Sequence, residues 1–181
     1  MKKGSTLNDV LSTSIYLLSV LVAVLLVVTF VGQKIEVIGS SMSPTLEDKD
    51  FLLVDKISYR LGDPKRFDIV VFPYQYEPNT YYIKRVIGLP GETVYIDDSG
   101  KIYINGEVLE EGYGKETITN PGRAYEEIRL SPNEYFVMGD NRNNSSDSRD
   151  PNVGNILRDE IIGRAFMRVS PLKKLGIIKH Q

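Results

Sequence analysis

Ser41 stands in the run Gly39-Ser40-Ser41-Met42-Ser43-Pro44-Thr45-Leu46, a few residues beyond a long uncharged apolar segment. A serine is a useful nucleophile only when a neighbouring group takes its proton. The chain of 181 residues has no cysteine and a single histidine, His180, beside the C-terminus. Terminal residues fray, so a Ser-His-Asp triad lacks a dependable base here. Cysteine nucleophiles are excluded, as are zinc sites built on cysteine or paired histidines. The remaining bases are a carboxylate or a neutral lysine, and serine–lysine pairs are a known variant of the triad logic. No cofactor or metal is called for.

Lys84 is the lysine in the most telling setting. It sits inside the apolar, aromatic and β-branched run Tyr81-Tyr82-Ile83-Lys84-Arg85-Val86-Ile87. Period-two counting puts Tyr82 and Val86 on its face of a strand. One reading is an edge-strand lysine that discourages aggregation. The other is a desolvated amine. A free lysine titrates near 10.4, so at neutral pH only about one in a few thousand is the neutral base. Burial lowers that value by several pH units, and without such a shift Lys84 could not deprotonate a serine.

A third segment is dense in short polar side chains: Gly139-Asp140-Asn141-Arg142-Asn143-Asn144-Ser145-Ser146-Asp147-Ser148-Arg149. It reads either as a solvated loop or as a hydrogen-bonded network packed behind a site. Its Asp and Asn spacing does not fit an EF-hand loop.

These segments need elements to hold them. From Ile15 to Val31 every residue is apolar except Tyr16, Ser19 and Thr29, and none is charged. Extended to 11–33, the run has roughly 23 residues, about 34 Å of helix, enough to cross a bilayer core. A cleaved secretory signal is the alternative, but the apolar core is longer than an h-region and the small-residue cleavage pattern after it is poor. Lys2, Lys3 and the free amine outnumber Lys34, which puts residues 1–10 in the cytoplasm and 34–181 outside.

After Gln33 the chain reads as strands. Phe51–Val54 and Asp68–Phe72 are short apolar runs, and 81–87 stops at Gly88-Leu89-Pro90-Gly91. Thr93–Ile96 and Lys101–Ile104 flank a turn and read as a hairpin, and Asn105-Gly106 turns the chain into Glu107-Val108-Leu109. Residues 110–127 read as a polar surface excursion. Ile128–Leu130, Tyr135–Met138 and Ile161–Val169 complete the set. The expected fold is mostly β: one transmembrane helix, then an antiparallel β catalytic domain with a small β excursion within about 93–134. The net charge of −2 gives no basic footprint for nucleic acid.

Taken together and in this order, the segments resemble the bacterial type I signal peptidases. The resemblance covers the N-terminal anchor, Gly39 to Leu46, Phe67 to Phe72, Tyr82 to Gly91 and Gly139 to Arg149. It implies a membrane-bound serine endopeptidase that cleaves signal peptides from exported preproteins at the outer face of the cytoplasmic membrane. Its partners would be preprotein signal peptides, the bilayer and, indirectly, the export machinery. It implies Ser41 as nucleophile, Lys84 as general base, and Ser145 bonding to and orienting the lysine amine. Arg85, Asp140, Asp147 and Arg149 would support the site.

The Ser41 N–H would be one oxyanion donor; the residue that supplies a second in some members is here Gly39, as is common in Gram-positive enzymes. Phe67 stands where glycine is frequent, and Glu92 where aspartate is. The single anchor and the short segment between Lys84 and Gly139 also favour the compact, Gram-positive-like form. Substrate would add as an extended strand. Ile35, Val37, Met42 and Ile83 would line pockets selecting small side chains, typically alanine, at the first and third positions before the cut. A self-cleaving repressor-type Ser–Lys protease would need a DNA-binding domain, which is absent. A tethered binding module without activity would lack Ser41 or Lys84.

Overall fold

The computed structural model describes residues 4–74 and 80–179, with side chains for all of these except 4–7 and 24–31. His180, Lys2 and Lys3 lie outside the described residues. Helix α1 (Gly4–Val31) runs straight into strand β1 (Gly32–Glu36). The helix thus stops at Val31, just inside the segment read as ending at residue 33. Among the described residues no helix is long and apolar enough to cross a membrane; the described side chains of α1 are those of residues 8–23.

Next come β2 (Phe51–Asp55), the single turn α2 (Ser58–Leu61), β3 (Ile69–Pro73) and β4 (Tyr81–Gly88). They are followed by β5 (Thr93–Ile96), β6 (Ile102–Ile104), β7 (Glu107–Val108) and β8 (Ile128–Arg129). The chain ends with β9 (Glu134–Met138), β10 (Ile156–Leu157), β11 (Gly163–Ser170) and β12 (Gly176–Ile177). The architecture is mostly β, as expected. The two-residue strands β10 and β12 and the turn α2 were not foreseen; elements that short leave no periodic trace.

Among the described residues the strands form two antiparallel sheets. The larger is ordered β1-β2-β11-β3-β4-β9-β10, with β12 on β11; the smaller, the excursion, is ordered β7-β6-β5-β8. In the excursion Asn105 and Gly106 both take positive φ, 53° and 82°, the geometry a two-residue hairpin turn demands. Strand β4 sits between β3 and β9, with Lys84 opposite Val70 and Arg85 opposite Ile69 and Met138. One cluster, including Val37, Met42, Leu52 and Ile83, covers one side of this region, and another, including Val70, Val86 and Val137, covers the other. Residues 83–88 are therefore buried on both faces.

Phe67 adopts φ 70°, a left-handed conformation that explains why glycine suits this position. Its N–H donates to the Val86 carbonyl at 2.8 Å, its own carbonyl accepts from Arg85 Nη1 at 2.9 Å, and its ring lies 5.0 Å from that of Tyr113. Glycine here would relieve about 1–2 kcal/mol of backbone strain. It would also forfeit a buried aromatic worth about 3–5 kcal/mol. Phe67→Gly is expected to be less stable by about 2–3 kcal/mol in denaturant titrations; a gain in stability would mean that strain outweighs packing here.

Candidate active site

Two turns hold the nucleophile loop. The Ser43 N–H donates to the Ser40 carbonyl at 3.0 Å and the Leu46 N–H to the Met42 carbonyl at 2.9 Å, while Met42 and Leu46 are buried and anchor the loop to the core. The loop is then laced to the 139–149 segment. The Asn141 N–H donates to the Ser41 carbonyl at 3.0 Å, Asn141 Nδ2 to the Ser40 carbonyl at 3.1 Å, and Asn144 Nδ2 to Ser40 Oγ at 3.0 Å. Gly139 permits this closeness: a Cβ there would lie 2.2 Å from Ser145 Oγ and 2.4 Å from the Ser41 carbonyl oxygen. No side chain fits between the two loops.

Lys84 enters from β4 and is 3% exposed. Its Nζ lies 2.9 Å from Ser41 Oγ and 3.0 Å from the Ile83 carbonyl, and 4.8 Å from the centre of the Tyr82 ring. Burial pulls its pKa down from 10.5 to about 8, against the pull of Asp147 and Asp140, whose charges favour the ammonium. At pH 7 about one amine in ten is then neutral, a gain of some two orders of magnitude over free lysine. Of the two readings of Lys84, the edge-strand one is excluded, because β4 is an interior strand.

Ser145 departs from expectation. It lines the same cavity as Ser41 and Lys84, but its Oγ is buried without a hydrogen-bond partner. The anticipated bond to the lysine amine is not formed; Nζ contacts Ser41 Oγ and the Ile83 carbonyl.

The supporting charges form separate buried pairs. Arg85 Nε and Nη2 clasp the Asp140 carboxylate at 2.8 and 2.7 Å, a two-pronged contact. Thr45 Oγ1 donates to the same carboxylate at 2.5 Å. Asp147 is likewise clasped by Arg149, through Nε and Nη2 at 2.9 Å each, and accepts from the Gly139 N–H at 3.0 Å. Arg142, the other arginine of this segment and by sequence also within reach of Asp147, pairs with Glu111 at 2.5 Å.

Glu111 and Tyr113 belong to the stretch read as a surface excursion. The Tyr113 ring packs 3.7 Å from the Arg85 guanidinium, and the Lys115 N–H donates to the Asp140 carbonyl at 2.8 Å. The stretch is a strap across the back of the site. Its polar composition hid this, because few side chains do the docking: besides Glu111 and Tyr113, Ile118 and Ala124 are buried in the core, and the Thr119 N–H donates to Asn143 Oδ1.

A groove of about 1000 Å³ runs past Ser41 and Lys84. Ile35, Val37, Met42 and Ile83, the four expected pocket residues, all line it and pack together in one buried cluster.

A buried amine set on a serine hydroxyl, in an antiparallel β scaffold, is the layout of a serine hydrolase whose base is a lysine. Comparison with known proteins narrows this. Residues 10–170 match the family described as signal peptidase, peptidase S26. A probable signal peptidase I-2 of Synechocystis is 40% identical over 159 residues, covering 83% of this chain and 68% of that protein. Signal peptidase I P of Bacillus subtilis subsp. natto is 37% identical over 166 residues, 88% of each. A solved signal peptidase I from Enterococcus faecalis V583 is 34% identical, covers 57% of this chain and 97% of that one, and has a TM-score of 0.45. The chain belongs to the signal peptidase family, serine endopeptidases that cleave signal peptides from exported preproteins.

Proposed function

We propose that Ser41 is the nucleophile and Lys84 the general base of this endopeptidase. The observation that carries the reading is the 2.9 Å separation of Lys84 Nζ and Ser41 Oγ, with the amine buried. Neutral Lys84 takes the Ser41 proton as Oγ attacks the scissile carbonyl. The resulting ammonium gives that proton to the leaving amine as the C–N bond breaks. Water, deprotonated by the same amine, then hydrolyses the acyl-enzyme. The Ser41 N–H stabilises the oxyanion. Substrate lies extended in the groove, with small side chains in the pockets of Ile35, Val37, Met42 and Ile83. Cleavage of a preprotein in detergent tests this directly. Ser41→Ala should be folded and inactive, and retained cleavage would remove Ser41 from the reaction.

Ser145 acts through the lysine amine. Nζ has a third position beyond its contacts to Ser41 Oγ and the Ile83 carbonyl, and the unpartnered Ser145 Oγ lies in the same cavity, where a bond to that position would hold the amine in line with Ser41. Ser145→Ala is expected to slow cleavage by on the order of 10²-fold. It should leave the melting temperature unchanged or slightly higher, because a buried unsatisfied hydroxyl is lost. Unchanged kinetics would assign Ser145 to packing alone.

The same proposal includes the membrane. α1 crosses the cytoplasmic membrane once, N-terminus inside, with the catalytic domain on the extracytoplasmic face. The uncharged run from Ile15 to Val31 and the basic Lys2 and Lys3 support it. So does the length of the helix, 28 residues, or about 42 Å. Preprotein substrates have their own apolar segment in the same bilayer, so enzyme and substrate meet by searching in two dimensions.

A further inference from the structure

The Ser41 N–H gives the oxyanion one donor, and most of the polar groups around Ser41 are already committed elsewhere. Gly39, at the position that supplies a second donor in some members, has no side chain, and its φ of 85° is a conformation that strains any other residue. The Gly39 N–H is engaged as well: it donates to Asp48 Oδ1 at 2.8 Å. Asn143, which also lines the groove, uses both ends of its amide. Its Oδ1 accepts from the Thr119 N–H and hydroxyl, and its Nδ2 donates to the Thr117 carbonyl.

Ser40 differs from these. It lines the groove beside Ser41 and Lys84. Its backbone is fixed, because its carbonyl accepts from the Ser43 N–H at 3.0 Å and from Asn141 Nδ2 at 3.1 Å. Its Oγ accepts from Asn144 Nδ2 at 3.0 Å. A hydroxyl has one proton to give besides its lone pairs, and among the described residues the Ser40 hydroxyl gives its proton to none. Ser40 also precedes the Ser41 N–H directly in the chain, so the two donors belong to adjoining residues of one braced loop. Ser40 and Asn144 are both exposed in the open groove, so a peptide lying in it takes water away from them.

We propose that Ser40 Oγ is the second oxyanion donor and that Asn144 positions it. The proposal rests on Ser41 as nucleophile. As Ser41 Oγ bonds to the scissile carbon, the carbonyl π pair moves onto its oxygen and the Ser41 proton passes to Lys84. Lys84 must hand that proton to the leaving nitrogen, so the nitrogen faces Nζ. The new oxyanion then points to the other side of the adduct, towards the Ser41 N–H, and the Ser40 hydroxyl donates to it there. Asn144 holds the hydroxyl by a lone pair, which leaves the proton for the oxyanion. A donor aimed at charge that develops only in the transition state speeds the chemical step and leaves substrate binding alone.

Two ligands separate this role from a structural one. A peptide aldehyde adds Ser41 Oγ to its carbonyl carbon and places the hemiacetal oxygen in the oxyanion site, whereas the matching peptide alcohol has no carbonyl and forms no adduct. Both are titrated, and preprotein cleavage in detergent is followed, with the full chain as wild type, Ser40→Ala and Ser40→Thr. Ser40→Ala should lower kcat by about 10²-fold, with KM and the acid limb of the pH profile unmoved. Ser40→Thr keeps a hydroxyl and should recover most of the rate. Ser40→Ala should also weaken the aldehyde by a similar factor and leave the alcohol unaffected. Asn144→Ala should slow cleavage less, and should cost nothing further when added to Ser40→Ala. A wild-type kcat in Ser40→Ala, or equal weakening of aldehyde and alcohol, overturns the donor role of Ser40. A further loss on adding Asn144→Ala overturns the positioning role of Asn144. Wild type that binds the two ligands equally forms no adduct, which overturns the Ser41 assignment and the proposal together.

Discussion

Lys84→Arg is expected to fold and to cleave nothing. Arginine keeps its proton at every working pH, so the charge and length are preserved while the base is abolished. The loss should be on the order of 10⁴-fold, and Lys84→Ala should match it. In the native enzyme kcat/KM should rise with pH through about 8, where the buried amine loses its proton, and level off above. The same burial has a thermodynamic cost. Folded Lys84 releases its proton near 8 and the unfolded lysine near 10.5, so between those values the unfolded chain binds more protons and stability rises with pH. Below pH 8 the cost is full, about 3 kcal/mol, and above 10.5 it is gone. Lys84→Met, similar in volume and free of charge, should therefore melt above wild type at pH 7, with the advantage shrinking towards pH 10.5. Appreciable cleavage by Lys84→Arg would end the general-base assignment.

Asp147→Ala should fail for a different reason. The carboxylate is fully buried and takes both prongs of Arg149 and the Gly139 N–H. Removing it leaves the Arg149 charge without its counter-ion, which costs about 3–5 kcal/mol in such settings. Thermal melts should drop well below wild type, and activity should follow the loss of structure. Asp147→Asn separates the roles. It keeps an acceptor for Gly139 but removes a charge that holds the Lys84 pKa up. The acid limb of the rate profile should then move to lower pH. An Asp147→Ala variant that is inactive at unchanged stability would place Asp147 among the direct participants.

Much of the scaffold was legible because strands of four residues or more advertise themselves. The 93–96 and 102–104 hairpin and the Asn105-Gly106 turn follow from local backbone chemistry alone. Ser41 stood out by its place in a proline-stiffened serine loop just past the apolar segment, and elimination narrowed only its base, since the chain has no cysteine and no central histidine. The pairing of Ser41 with Lys84 needed the family resemblance, because two residues 43 apart in sequence give no local sign of meeting. Period-two counting suggests one neighbour face for Lys84 but does not say that both faces of β4 are covered, and that double cover is what depresses its pKa. The choice between Arg142 and Arg149 as partner of Asp147 was open in sequence. It was settled by Glu111, a residue from the excursion, which takes Arg142 away. The hydroxyl of Ser145 was the reverse case: the motif named the residue, while the resting structure leaves it without a partner.

The sheet register sets the level of the dyad. Paired residues run from Gly32, the first residue after α1, through Asp55, Arg164 and Val70 to Lys84. The base therefore stands at the height at which the chain leaves the helix. With α1 in the bilayer, whatever fixes Gly32 above the lipid fixes Lys84 with it. Residues inserted at the joint between α1 and β1 would lift the dyad as a unit and move the height at which a tethered chain is cut.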